Sequence, residues 1–286
     1  MSTAIETDTW TATLELAFAH VSNGRTALTR NVHTGPLLVQ KALYPEGSDI
    51  CHATILHPPS GIAGGDVLEI SVVVEESAHA VLTTPGATRW YKANGRNARQ
   101  HIDIQVKAQG RLDWLPLENL LFEQSQAINQ THIRLAAGAR AIGWDCYQLG
   151  SAVTAGHWHE GRLKLTTLLH YDGKLVWAEA GEANARQSLV GSLAGLAGFP
   201  VMATVWSVGP ILDALHLERL TDTLPWTEEL RAGASQIPLD ASHSLVMIRL
   251  LGLHAQAVRL LMIECWQQLR PLHLGRPASP LRLWRT

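Results

Sequence analysis

The chain has 286 residues, long enough for one large domain or two small ones. Hydrophobic residues make up 46% and charged residues 17%, which excludes a disordered chain and fits one with a sizeable core. The formal net charge of −2 leaves no electrostatic basis for nucleic-acid binding. Cys51, Cys146 and Cys265 are odd in number and far apart, so they form neither a disulfide framework nor a CxxC metal site. No apolar run reaches the ~18 residues that a membrane span needs, and no basic-then-apolar leader opens the chain. The expectation is a cytoplasmic protein with no membrane partner. The 14 histidines are scattered mostly singly, and a lone histidine is ordinarily a surface or hydrogen-bonded core residue.

In chain order, Met1 to Thr9 is polar and expected to fray. Trp10 to His20 alternates as a strand with Leu14, Leu16 and Phe18 on one side. Asn23-Gly24 signals a turn, and the polar stretch from Arg25 stops at Gly35-Pro36. Leu37 to Val39 and Cys51 to His57 read as strands. Pro58-Pro59, Gly61 and Gly64-Gly65-Asp66 then make a shaped loop, because proline fixes φ and glycine permits positive φ. A strand follows with Leu68, Ile70, Val72 and Val74 on one face. After a turn at Glu75-Glu76-Ser77, Ala78, Ala80 and Leu82 alternate with His79 and Val81. Thr83-Thr84-Pro85-Gly86 is a second shaped corner.

The segments Val74 to Leu82, Val106 to Trp114 and Leu135 to Gly143 resemble one another at a period of roughly 30 residues. Each ends a strand, turns on small residues and begins another. Ile102, Ile104 and Val106 alternate with polar neighbours, as do Ile133 and Leu135. Short strands at regular spacing predict an all-β sandwich or a coiled stack of sheets. Gly156 to Leu169 and Tyr171 to Ala178 form a hairpin turning at Asp172-Gly173. Glu182 to Leu196 reads as a short helix ending at Gly198, Val201 to Val208 as a strand, and Pro210 to Leu220 as a helix with proline in its first turn. His254 to Arg270 is the clearest helix. Val258, Leu261, Met262, Cys265 and Leu269 share a face, and Pro271 is expected to stop it. A tail from Leu272 to Thr286 follows. Together these elements predict one domain over 1–286, mainly β, with strand exceeding helix by about two to one and helices toward the C-terminus.

The chain contains no Gly-x-Ser-x-Gly elbow, P-loop, Rossmann fingerprint or His-Glu-x-x-His. His157-Trp158-His159 is the nearest metal-like motif, since strand residues two apart share a face. It sustains one enzymatic alternative, a metal-dependent β-fold enzyme using His157, His159 and an acid. Against it, Glu160 points away and no second ligand motif follows.

Several ordered motifs resemble the urease accessory protein UreD (UreH) family. They are Gly64-Gly65-Asp66 before a strand, and Leu82-Thr83-Thr84-Pro85-Gly86-Ala87-Thr88 before an aromatic. Further along stand Trp114-Leu115-Pro116-Leu117-Glu118-Asn119, Ile142-Gly143-Trp144-Asp145 with Leu149-Gly150, Leu269-Arg270-Pro271, and Trp284-Arg285-Thr286. The resemblance runs from about Ala53 to the C-terminus. It implies a helical stack of β-sheets, and a non-enzymatic scaffold that matures urease with UreF and the GTPase UreG on the urease apoprotein. Nickel is expected to pass transiently, with no tightly bound cofactor. The chain departs from the family pattern at Leu281-Arg282-Leu283-Trp284 and in its histidine pair.

With that resemblance in view, Asp66, Glu118, Asp145 and Glu179 are candidate ligands of a transient nickel path. Carboxylates without thiolates hold nickel weakly, and a conduit must release what it binds. For Asp66 the local alternative is a carboxylate accepting backbone N–H bonds beside Gly64-Gly65; for the other three it is an ordinary solvated or paired carboxylate. Arg89, Trp90 and Tyr91 form a basic and aromatic segment that suits either a partner interface or a solvent loop. Val258, Leu261, Met262 and Arg270 are the expected UreF-docking residues of the C-terminal helix.

Overall fold

The computed structural model describes residues 9–151, 158–187 and 190–285. Strands β1 (Thr11–Val21), β2 (Arg25–Thr34) and β3 (Leu38–Leu43) lead into three similar coils. The first is β4 (Cys51–Leu56), β5 (Gly61–Ile62) and β6 (Val67–Val74). The second is β7 (His79–Thr83), β8 (Thr88–Trp90) and β9 (Ala98–Val106). The third is β10 (Arg111–Leu115), β11 (Asn119–Leu121) and β12 (Gln126–Leu135). A fourth turn consists of β13 (Arg140–Leu149) and β14 (Arg162–Tyr171). There follow β15 (Lys174–Asn184), β16 (Val201–Pro210), α1 (Ala214–Asp222), β17 (Leu230–Pro238), β18 (His243–Gly252) and α2 (Ala255–Leu274). Strand accounts for 53% and helix for 12%, a larger excess than the expected ratio.

The coils stack in parallel, and the stacking follows the internal repeat. Val74 pairs with Val106 and Val106 with Leu135, while Leu82 pairs with Trp114 and Trp114 with Gly143. These are the residues that bound the three similar segments. Their shared turn has a backbone cause: Ser77, Gln109 and Gly138 all take positive φ, at 61°, 57° and 74°. Neighbouring turns are hydrogen-bonded, Lys107 N–H donating to Val74 C=O at 2.8 Å and Ala136 N–H to Val106 C=O at 2.9 Å. One seven-stranded sheet runs β15-β14-β12-β9-β6-β1-β2. The main path of the other runs β17-β18-β16-β13-β10-β7-β4-β3, and the short β5, β8 and β11 close the third side of each coil. The result is a solenoid-like stack.

Both ends of the stack revert to antiparallel pairing: β2 on β1, β3 on β4, β15 on β14, and β16, β18 and β17 in succession. Several sequence expectations are corrected here. Arg25 to Thr34 is an edge strand whose residues are mostly exposed, which is why it reads only as polar. Glu182 belongs to β15, and the described residues after it form turns instead of a helix. Pro210 ends β16; α1 begins after Asp213, whose side chain accepts from His216 N–H at 2.8 Å. β17 and β18 carry no alternating strand signal in the sequence. Leu245 to Ile248 is buried throughout, and a continuous apolar run lacks the alternation that marks a strand.

Two cores result. One fills the space between the sheets, with Leu14, Phe18, Val72, Ile104 and Ile133. The other lies on the far side of the larger sheet, where α2 packs on β13, β16 and β18. It contains Ile142, Trp144, Val205 and Ile248 from the sheet, and Val258, Met262, Trp266 and Leu269 from the helix. Pro271 does not stop α2, which continues to Leu274 and ends at Gly275 with φ 68°. Pro271 itself is exposed, whereas His273 and Leu274 are fully buried. Burying a leucine contributes about 1.5–3 kcal/mol, comparable to the ~3 kcal/mol an interior proline costs.

Candidate functional site

A polar seam runs through the otherwise apolar space between the sheets. Asn129 and Thr131 on β12 and Thr167 on β14 are about 1% exposed and face inward. The Gln100 amide donates to Asn129 Oδ1 at 3.3 Å, and Asn129 in turn donates to the Tyr147 hydroxyl. Three cavities adjoin along this seam. One, about 190 Å³, is bordered by His57, Pro85, Arg89 and Gln100. Thr84, Thr88 and Gln100 are shared with a narrow cavity of about 40 Å³ that reaches Asn119 and Asp145. Asp145 also borders the third cavity, about 300 Å³, with Tyr147, Thr167, Glu179 and Arg249. Asp145 therefore stands where the narrow passage meets the wider chamber.

Two of the four candidate acids are brought together here. Asp145 projects inward from β13 and Glu179 inward from β15, on opposite sheets. Burial pushes the Asp145 carboxyl up to about 7, with the nearby Glu179 carboxylate adding to the effect. A carboxyl that is costly to ionise without a partner is a group that a cation would stabilise. Glu179 forms an ion pair with Arg249 at the chamber wall. Tyr147 is likewise raised well above its ordinary value by burial and by Asp145.

Glu118 and Asp66 lie elsewhere. Glu118 is 6% exposed and pairs through Oε1 with Arg259 of α2 at 2.7 Å, on the helix side of the sheet; its Oε2 is buried without a partner. Asp66 uses both carboxylate oxygens on backbone: Oδ1 accepts from Trp10 N–H at 3.1 Å and Oδ2 from Ala63 N–H at 2.8 Å. Its neighbours explain the Gly-Gly-Asp motif. A Cβ at Gly64 would lie 1.9 Å from the Ala93 carbonyl oxygen, and Gly65 adopts φ 103°. The local reading of Asp66, a turn clamp, is thus the one that its contacts support.

The expected partner-binding residues divide by burial. Arg89 is exposed and Tyr91 half-buried against Phe122, but Trp90 is fully buried and its indole N–H donates to Asn119 Oδ1 at 3.0 Å. Val258, Leu261, Met262 and Arg270 are all buried against the chain's own sheet. The apolar face of α2 therefore builds the second core and is not free to dock; Leu260, 54% exposed, lies on the opposite face.

Sequence reasoning missed the charge cluster beneath that helix. Asp113, wholly buried on β10, accepts from Arg270 Nε at 3.0 Å, from Trp266 Nε1 at 2.7 Å and from the His79 ring at 2.9 Å. Arg270 also bonds both oxygens of Glu46, at 2.6 and 2.9 Å. Burial alone would raise the Asp113 carboxyl, but the His79 hydrogen bond and the Arg270 charge outweigh it and hold the group below its ordinary value. Burial likewise opposes ionisation of Glu46, yet bonds from His52 and Arg270 bring it down to about 2. The signal was present in Asp113, a lone acid in an apolar strand, but its partner is 157 residues away.

His157 lies outside the described residues. His159 donates its backbone N–H to Glu123 at 3.0 Å. The three cysteines are free and buried; burial raises each thiol, with Glu118 adding to the rise at Cys146 and Glu264 at Cys265. Among the described residues, one group presents three metal-ligating atoms close together: His101, Asp103 and His132. No helix among them is long and apolar enough to cross a membrane.

The sequence pattern of the UreD urease accessory protein family matches residues 11–285. The chain belongs to this family. The urease accessory protein UreD of Bordetella pertussis is 52% identical over 279 residues, covering 98% of both chains. That of Cupriavidus necator is 48% identical, covering 97% of this chain and 95% of the relative. That of Ralstonia nicotianae is 45% identical, covering 97% and 94%. These matches make the chain a urease accessory protein.

Proposed function

We propose that this chain is a scaffold for urease maturation in the cytoplasm, helping deliver nickel to the urease apoprotein together with UreF and the GTPase UreG. Family membership supports the maturation role. The observation that carries the nickel reading is Asp145, a buried carboxyl with no ion-pair partner among the described residues, at the junction of adjoining cavities. In this reading nickel is cargo. Oxygen and amide groups of Gln100, Asn119, Asp145 and Glu179 offer it weak, successive contacts, and the absence of thiolate ligands keeps release fast. Asp66 and Glu118 serve the scaffold, the first by clamping a turn and the second by pairing with α2. The chain performs no chemistry of its own in this scheme. Partners meet exposed residues, among them Arg89 and the Leu260 side of α2.

The test is Asp145→Asn, co-expressed with the urease subunits and accessory proteins. Assembly, read by co-purification, is expected to persist, while nickel per urease active site and urease activity fall at least about tenfold. Full nickel loading with asparagine at 145 would overturn the route. Leu260→Asp, in contrast, is expected to weaken co-purification with UreF while leaving the far-UV spectrum unchanged; unaltered co-purification would remove that side of α2 from the interface.

A further inference from the structure

The seven-stranded sheet has a second face, turned away from the cavities. On it, β9 presents His101 and Asp103, which share a face because strand residues two apart do. In the parallel register of β9 and β12, Asp103 stands beside His132 and His101 beside Gln130. The two imidazoles meet edge to face with ring centroids 5.1 Å apart. One ligand atom from each of His101, Asp103 and His132 lies within 4.8 Å of the other two, and all three residues are half-buried. On β6, Glu69 stands opposite His101. Arg134, two residues beyond His132, bonds Asp103 Oδ1 and leaves its other carboxylate oxygen for a further partner.

We infer that His101, Asp103 and His132 form a surface site for a borderline divalent transition-metal ion of the zinc and nickel class. Two imidazoles and one carboxylate suit such an ion and disfavour magnesium or calcium, which prefer all-oxygen shells. Ligand atoms around one ion at bonds of ~2.0–2.1 Å stand about 3–3.5 Å apart, so the side chains close in by roughly 1.5 Å, within the reach of rotamer adjustment. The strands supply a rigid base, since both lie inside the sheet with hydrogen-bonded neighbours on either side. Three protein ligands leave coordination positions open to water or a further ligand. The site is separate from the interior route, because inward residues of β12 such as Asn129 and Thr131 face the opposite side of the sheet.

Equilibrium dialysis of the full chain against zinc chloride and, separately, nickel chloride tests the site and distinguishes the two ions. His132→Gln and His101→Ala are each expected to remove one bound ion per chain, or to weaken its binding at least about tenfold, with the far-UV spectrum unchanged. Asp145→Asn is expected to leave this ion in place, so loss of the interior route and loss of this site are read independently. Asp103→Asn is expected to weaken binding severalfold; unchanged binding would remove Asp103 from the ligand set and overturn the three-residue site. Unchanged stoichiometry and affinity in His132→Gln would also overturn it. Should the histidine variants fail to fold, X-ray absorption of the zinc-loaded parent chain decides: two imidazoles per ion are expected, and fewer than two would overturn the assignment.

Discussion

Asp113 and Asp145 are both buried aspartates on neighbouring parallel strands, yet their carboxyls move in opposite directions. Asp113 points toward α2 and meets Arg270, Trp266 and His79; it lies below its ordinary pKa. Asp145 points between the sheets toward cavities and another acid, and it is raised to about 7. Burial is the largest single influence on each, and the neighbours decide the sign. A buried charge with a full set of partners is part of the scaffold, whereas one without them keeps a capacity to bind. The same contrast separates the two cores: the one under α2 is closed by hydrogen-bonded charge, and the one between the sheets has adjoining cavities.

That contrast can be broken at several points. The largest effect is expected at Asp113. Asp113→Ala strips the buried Arg270, Trp266 and His79 of their common acceptor and should destabilise the chain by roughly 3–5 kcal/mol, read as a lower urea midpoint. A midpoint within ~1 kcal/mol of the parent would mean that the cluster beneath the helix is not structural.

The next effect depends on pH. The folded pKa of Asp145 exceeds its unfolded value, so its contribution to stability is fully present below about pH 4. It is lost as pH rises toward and through about 7. A rise from the ordinary 3.8 to about 7 corresponds to about 4 kcal/mol at most, reduced by coupling to Glu179. Glu46, lowered to about 2, has the opposite slope: its contribution is present above pH ~4.5 and is lost as pH falls through about 2. Melting temperatures between pH 5 and 8 should therefore decline less in Asp145→Asn than in the parent. Parallel curves would contradict the assignment of an unpartnered carboxyl.

A smaller effect is expected at the turn that Asp66 clamps. Gly64→Ala forces a methyl group against the Ala93 backbone and should lower stability by about 1–3 kcal/mol, as overpacking generally does. Thermal melting checks this, and a neutral result would show that the corner can shift without loss. The smallest effect belongs to Arg30, whose bond to Glu15 at 2.6 Å is about half exposed on both sides. Arg30→Gln should change stability by less than ~1 kcal/mol, and a larger loss would blur the distinction between partnered charge that is buried and partnered charge that is solvated.

Much of the stack was legible in the chain itself. Strand alternation, the positive-φ turns and the segments bounded by Val74, Val106 and Leu135 are local properties, and they specified both the coils and the residues that pair between them. Gly64-Gly65-Asp66 was legible as a shaped loop for the same reason. The side on which each face is covered was not legible. β7 carries an alternating pattern yet is buried on both faces, because the core between the sheets lies on one side and the layer under α2 on the other. The greasy side of α2 was readable as a stripe, but whether it met a partner or the chain's own sheet depended on β16 and β18 arriving beneath it. The roles of the acids were decided in the same way: Asp66 found two backbone N–H groups, Glu118 found Arg259, and Asp145 found a cavity and Glu179. Periodicity and turn geometry act over a few residues and are written in the sequence. Burial and charge compensation are set by distant neighbours, Arg270 and Glu46 being 224 residues apart, and only the folded chain brings those together.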